Sequence, residues 1–305
     1  MPDRTTSESG DGRRRFALAY LLLTITMWLL ALNPVIGRAV HGEVPPLGLA
    51  FWRWFVAAVV LLPFSWAGLR QDWSHYRAHL GTLCVLGCLV TGSTALVLIG
   101  LNFTSAINAS LLNTTQPALV VMLSSVFLKE RSTRVQVLGI LAAIFGVLIV
   151  LTRFQWSAMA TFRFNGGDIL VLIAMCGLAA YAIMLRRIPN SLGATESLFI
   201  MLVAGSFALL PFYLVETAVY RPVPVTQTSI MAILTLALLV SCVATLFWNI
   251  STQIVGPSRA SMFMNLIPIF GSLMAVLLLG EAFELFHIAG ILLVCVGIVL
   301  VIRAR

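Results

Sequence analysis

Polar side chains are rare inside the apolar runs of this 305-residue chain, so those that recur at helical spacing stand out. Ala106, Ser110, Asn113, Thr114 and Pro117 share one helix face, because residues three and four apart lie above one another. Ser261, Met264, Asn265 and Pro268 form a second such face. Hydroxyls and amides in this pattern could hydrogen-bond the charged ends of a zwitterion, with Met264 as an adaptable apolar wall. The same residue types also join helix to helix within a membrane, at under about 1 kcal/mol each. Both uses stay open, although a membrane-buried amide such as Asn113 or Asn265 needs a partner in either case.

A third stripe holds Ser241, Thr245, Trp248 and Thr252, with Asn249 beside it, and Thr91, Ser93 and Thr94 cluster in an earlier run. With Trp28 and Tyr181 they could line a pocket that stacks against an aromatic or aliphatic solute. Tryptophan is as common at membrane interfaces, the role assigned to Trp52, Trp54, Trp66 and Trp73, whereas Trp28 and Trp248 lie deeper in their runs. Arg53 is the one ionised residue well inside an apolar run, which makes it a functional candidate. It could attract a carboxylate or pair with backbone carbonyls near the membrane surface. Glu130, Asp168 and Glu281 fall at run boundaries, where helix ends and nearby arginines would stabilise them. With no acid mid-run there is no proton relay, which favours a facilitator or weakly coupled carrier. Pro34, Pro117 and Pro268 each remove a helical N–H and bend the helix, as hinges or as static kinks.

Other chemistries lack their residues. His41, His75, His79 and His287 sit at boundaries without metal-ligand spacing, and no nucleophile has a base within reach. No catalytic residue, metal or cofactor is therefore expected, and no charged ring or carbonyl filter of a channel. Cys84, Cys88, Cys176, Cys242 and Cys295 lie in apolar runs as inert packing residues. The net charge of +8 has no basic, aromatic-interleaved face to bind nucleic acid.

The elements that position these residues are membrane spans. A hydrophobic share of 60% against 10% charged, with a mean hydropathy of +1.02, is foreign to a soluble domain. A bilayer core needs roughly 20 apolar residues in helix. Ten segments qualify: 16–37, 46–67, 80–101, 105–128, 134–152, 167–187, 194–216, 228–250, 257–280 and 285–302. Residues 1–15 read as a disordered tail, and Arg13–Arg15 before Phe16 as the flank of a first span rather than a cleaved leader. With the N-terminus in the cytoplasm, fourteen cations fall inside and four outside, which places both termini there.

An offset of 151 residues carries Ala109-Ser110 onto Ala260-Ser261, Pro117 onto Pro268, Glu130 onto Glu281 and Gly139-Ile140-Leu141 onto Gly290-Ile291-Leu292. A repeat of five spans must be inverted in its second copy, which puts a solute site near the midplane between the halves. The reading is an all-α membrane protein of ten transmembrane helices in two inverted five-helix repeats around a central cavity. Residues 16–152 and 167–302 form the repeats, 153–166 an external linker and 303–305 a cytoplasmic tail.

The stretch Ala109–Thr152, with Pro117, Leu128-Lys129-Glu130-Arg131, Gly139 and Gly146, resembles the EamA-type members of the drug/metabolite transporter superfamily. Pro268–Glu281 and Phe283–Ile302 resemble its second copy, Gly167-Asp168 through Tyr181 to Arg186-Arg187 its sixth helix, and Asn33 with Arg53 its first two. The chain departs from the family pattern in that Trp28 and Asn33, five residues apart, are spaced more widely than its usual tryptophan and asparagine, with Leu30 where the tryptophan is expected. The resemblance extends to bacterial exporters of aromatic amino acids. It implies an exporter of amino acids and related metabolites in a bacterial inner membrane, working by alternating access; purines, nucleotide sugars or amphipathic drugs are the alternative cargo, and a monomer is the working expectation apart from the resemblance.

Overall fold

The computed structural model describes residues 5–40, 42–104, 112–129, 133–152, 165–189, 191–279 and 285–303, and the described residues are helical with no strand. Helix is the open structure that satisfies its own backbone in lipid, and these runs are apolar on every face. In chain order, α1 spans Thr5–Leu30 and resumes as Leu32–Ala39. α2 is Pro46–Gln71, α3 Trp73–Gly100, α4 Gln116–Phe127, α5 Arg134–Thr152, α6 Gly166–Met184 and α7 Ala194–Val219. α8 is Gln227–Val255, α9 is built from Pro257–Met262 and Leu266–Leu279, and α10 is Leu285–Arg303. Among the described residues, α2, α3, α6, α7 and α8 are long and apolar enough to cross a membrane, and α4, α5 and α10 are shorter apolar helices.

Two boundaries differ from the sequence reading. α1 continues back to Thr5, because extending a formed helix costs far less than starting one. The connector expected between the spans 46–67 and 80–101 shrinks to Asp72, and α3 begins at Trp73 rather than near residue 80. There Tyr76 is buried and its hydroxyl accepts from the Gly193 N–H at 3.0 Å, so polar residues extend the helix past the apolar run.

The three marked prolines share one consequence. α1 stops at Leu30, four residues before Pro34; turns at Thr114 and Thr115 precede Pro117 in the first turn of α4; and a 3₁₀ turn, Phe263–Asn265, precedes Pro268. A proline cannot donate to the carbonyl four residues back, so the helix yields one turn upstream of it. Pro63 and Pro211 lie within α2 and α7, which stay continuous.

Contacts between helices follow the repeat. α3 packs on α6 and α7; α8, its partner by the offset, packs on α1 and α2. α4 packs on α6 and α9 on α1, while α5 pairs with α10 and α2 with α7. A Cβ placed on Gly139 would lie 2.8 Å from the Gly297 carbonyl oxygen, and one on Gly146 would lie 2.9 Å from that of Gly290. Numbers rise along α5 as they fall along α10, so these helices are antiparallel, in backbone contact that only glycine permits. α2 and α7 are antiparallel too. Glu216 near the end of α7 accepts from the Leu47 and Gly48 N–H groups at 3.1 and 2.7 Å, and Glu196 at its start lies against Gly68. Gly139→Leu is expected to overpack the α5–α10 seam and cost about 1–3 kcal/mol, read as a lower thermal midpoint in detergent. Leu141→Ala, at an exposed position of the same helix, is expected to leave the midpoint nearly unchanged.

Candidate functional site

A layer of polar groups lies in the interior between α3, α6, α7 and α8. On α6, Tyr181 is 2% exposed and its hydroxyl donates to Asn249 Oδ1 of α8. The Asn249 amide nitrogen lies 4.0 Å from Met201 Sδ on α7. Trp248 is buried next to Asn249. Ser93 on α3 sits where a Cβ on Gly177 of α6 would fall, one turn before Tyr181, and Thr91 stands in the same relation to Gly205 of α7. The absence of side chains at those two glycines lets three helices close on the layer. Small-residue contacts of this kind are how membrane helices approach without a hydrophobic driving force.

A second network joins α1, α2 and α3. The Arg53 guanidinium donates from Nη1 to Asn33 Oδ1 at 3.0 Å and lies over the Trp54 ring, 4.7 Å from its centroid. Trp54 Nε1 donates to Thr94 Oγ1 at 3.2 Å, and that hydroxyl donates on to the Val90 or Thr91 carbonyl. Trp54 is 1% exposed, so it is not the interfacial anchor its sequence position implied. It sits deep because its indole N–H finds Thr94 inside the bundle. Trp52 likewise turns inward and donates to the Tyr213 hydroxyl at 3.1 Å, whereas Trp66 and Trp73 are exposed.

The remaining candidates are placed singly. Thr245 is buried, but its hydroxyl donates to the Val240 carbonyl five residues back at 3.1 Å. Asn265 is 2% exposed, with its Nδ2 donating to the Met262 carbonyl at 3.2 Å, and Met264 is half-buried. Asn113 is exposed and Thr114 buried at the break before α4. Trp28 is 39% exposed and meets Phe270 of α9 edge to face, at 5.5 Å between ring centroids. Pro34 lies in the second piece of α1. Ser110, Glu130 and Glu281 lie outside the described residues.

Three readings from the sequence change. The Ser241–Thr252 stripe assumes 3.6 residues per turn, but Leu236–Ala244 is π-helical, with more residues per turn, while Ser241, Thr245, Trp248 and Thr252 are all buried. Asn249, left beside that stripe, is the residue that bonds Tyr181. Asp168 is fully buried and held at the helix end as expected, but no arginine pairs with it among the described residues: it closes a capping box with Asn165 and accepts from the Thr104 hydroxyl at 2.5 Å. Of the cysteines, only Cys242 packs inside, while Cys88, Cys176 and Cys295 are exposed. The outside of a membrane bundle is as apolar as its core, so an apolar run does not say which face is buried.

Comparison with known proteins fits this arrangement. The EamA-like transporter family matches residues 17–152 and again 165–303. The uncharacterized transporter YyaM of Bacillus subtilis is 29% identical, over 84% of this chain and 84% of its own. The uncharacterized transporter YetK of the same organism is 24% identical, over 92% and 85%. The inner membrane protein YtfF of Escherichia coli is 22% identical, over 94% of both chains. A solved crystal structure superposes with a TM-score of 0.72 at 18% identity, covering 93% of this chain and 96% of that one, which shows the fold alone.

Proposed function

The chain belongs to the EamA-like transporter family of multi-pass membrane proteins, and on that premise we propose that it is a carrier exporting amino acids, aromatic ones among them, and related small metabolites by alternating access. The observation that carries this reading is the polar layer Ser93–Tyr181–Asn249, buried where α3 and α6 to α8 of the two copies meet. An amide, hydroxyls and the aromatic faces of Trp248 and Tyr181 suit a zwitterion with a ring. On this reading the cargo is held between the two repeats, where the layer joins their helices.

In this reading all ten helical units span the membrane, with both termini in the cytoplasm of a bacterial inner membrane and the second repeat inverted against the first. The antiparallel pairs α2–α7 and α5–α10 support the inversion, since each joins a helix to its own repeat equivalent. Asn113, Thr114, Met264 and Asn265 border the path at the breaks ahead of Pro117 and Pro268. With Pro34 these prolines mark the flexible points as one half rocks against the other. The carrier works as a monomer, without cofactor or metal. Among the described residues the polar layer holds no acid for proton coupling.

The test is uptake of a panel of labelled amino acids into proteoliposomes, with and without a pH gradient. Saturable uptake of phenylalanine, tyrosine or tryptophan that ignores the gradient is the expected result. Uptake confined to purines, nucleotide sugars or cationic drugs would overturn the cargo, and steep dependence on the gradient would overturn the uncoupled mechanism.

A further inference from the structure

Arg53 is 4% exposed, in the second turn of α2, about 10 Å from the start of that helix at 1.5 Å per residue. A cation at such a site is costly, and charges of this kind face the interior or mark a solute path. Its surroundings leave the charge uncompensated. Nη1 donates to a neutral amide, Asn33 Oδ1, and the Trp54 ring covers one face of the guanidinium. Nε is buried and makes no hydrogen bond, and no carboxylate pairs with Arg53 among the described residues. No bond from Arg53 to a backbone carbonyl, the alternative partner suggested by its position, is found among the described residues.

A buried guanidinium edge without an acceptor costs free energy that an anion would recover, because charge-assisted bonds to a carboxylate are about twice as strong as neutral ones. The planar fork matches a carboxylate through two parallel N–H groups, which a lysine cannot offer. Asn33 and Trp54 hold the guanidinium from two sides and leave the Nε edge for a third partner. We propose that Arg53 is the carboxylate receptor of the carrier: it takes the carboxylate of the cargo on its Nε edge when α1 and α2 part, with Asn33 and Trp54 as positioning residues. This rests on the carrier reading above and narrows its cargo to solutes bearing a carboxylate.

The test is competition against labelled phenylalanine counterflow in proteoliposomes, using unlabelled phenylalanine, phenylalanine amide and phenethylamine. In the wild-type protein the acid is expected to compete about 10–100-fold better than the amide or the amine. Arg53→Gln is expected to bring the three within about threefold, by weakening the acid and leaving the amine unchanged. Asn33→Asp serves as a second variant that keeps the arginine and gives it a resident counter-ion, so the acid's advantage is again expected to vanish. If either folded variant keeps the full preference for the acid, the receptor assignment is wrong while the carrier reading stands. If phenylalanine neither flows nor competes in the wild type, the cargo assignment and this inference fall together.

Discussion

Asn249→Ala is expected to cut transport at least tenfold and to destabilise the protein by about 1–3 kcal/mol, since it removes the acceptor that the buried Tyr181 hydroxyl uses among the described residues. Tyr181→Phe has the converse defect, leaving the Asn249 carbonyl oxygen without its donor. The double variant Tyr181→Phe/Asn249→Leu separates architecture from cargo handling. Replacing both partners by apolar groups removes the desolvation penalty, so its thermal midpoint should recover towards that of the wild type. Its transport should not, because the amide and hydroxyl offered to the cargo are gone. Recovery of both quantities would reduce the pair to a helix–helix bond.

The second large effect lies at Trp54. Trp54→Ala empties a fully buried indole site, removes the donor to Thr94 and uncovers the Arg53 guanidinium. Loss of a buried aromatic on this scale costs about 3–5 kcal/mol, a fall in thermal midpoint on the order of 10 °C. Trp54→Phe fills most of the volume and loses only the N–H, for about 1 kcal/mol. Both are read by thermal denaturation in detergent, with Trp66→Ala, at an exposed position, as the near-neutral control. Equal effects at Trp54 and Trp66 would contradict the interior placement.

The sequence carried the helices and the repeat because both rest on strong constraints. Lipid demands long apolar helices, and a proline cannot complete a hydrogen bond wherever it sits, so the breaks ahead of Pro34, Pro117 and Pro268 were legible in advance. Gly139 and Gly290 were legible as repeat equivalents, but that the helices carrying them meet in a close seam took the fold to show. What stayed hidden was the azimuth of each helix. A soluble helix separates its faces by polarity, but the outward Phe207 and the inward Leu202 of α7 are equally apolar. Depth along the run therefore misplaced Trp54, and which neighbour Asn249 would bond on another helix depended on that same azimuth. The burial of Arg53 was foreseeable; its pairing with Asn33 took the fold to show.

The most direct measurement is counterflow. Proteoliposomes containing the purified protein are loaded with unlabelled phenylalanine and diluted into a trace of the labelled form, alongside unloaded vesicles. A carrier with a site that alternates between the two sides gives a transient overshoot of label in loaded vesicles, saturable in external phenylalanine and reduced at least tenfold by Asn249→Ala. Label that enters loaded and unloaded vesicles at the same rate, linearly with concentration and without overshoot, would contradict an alternating site between the two repeats.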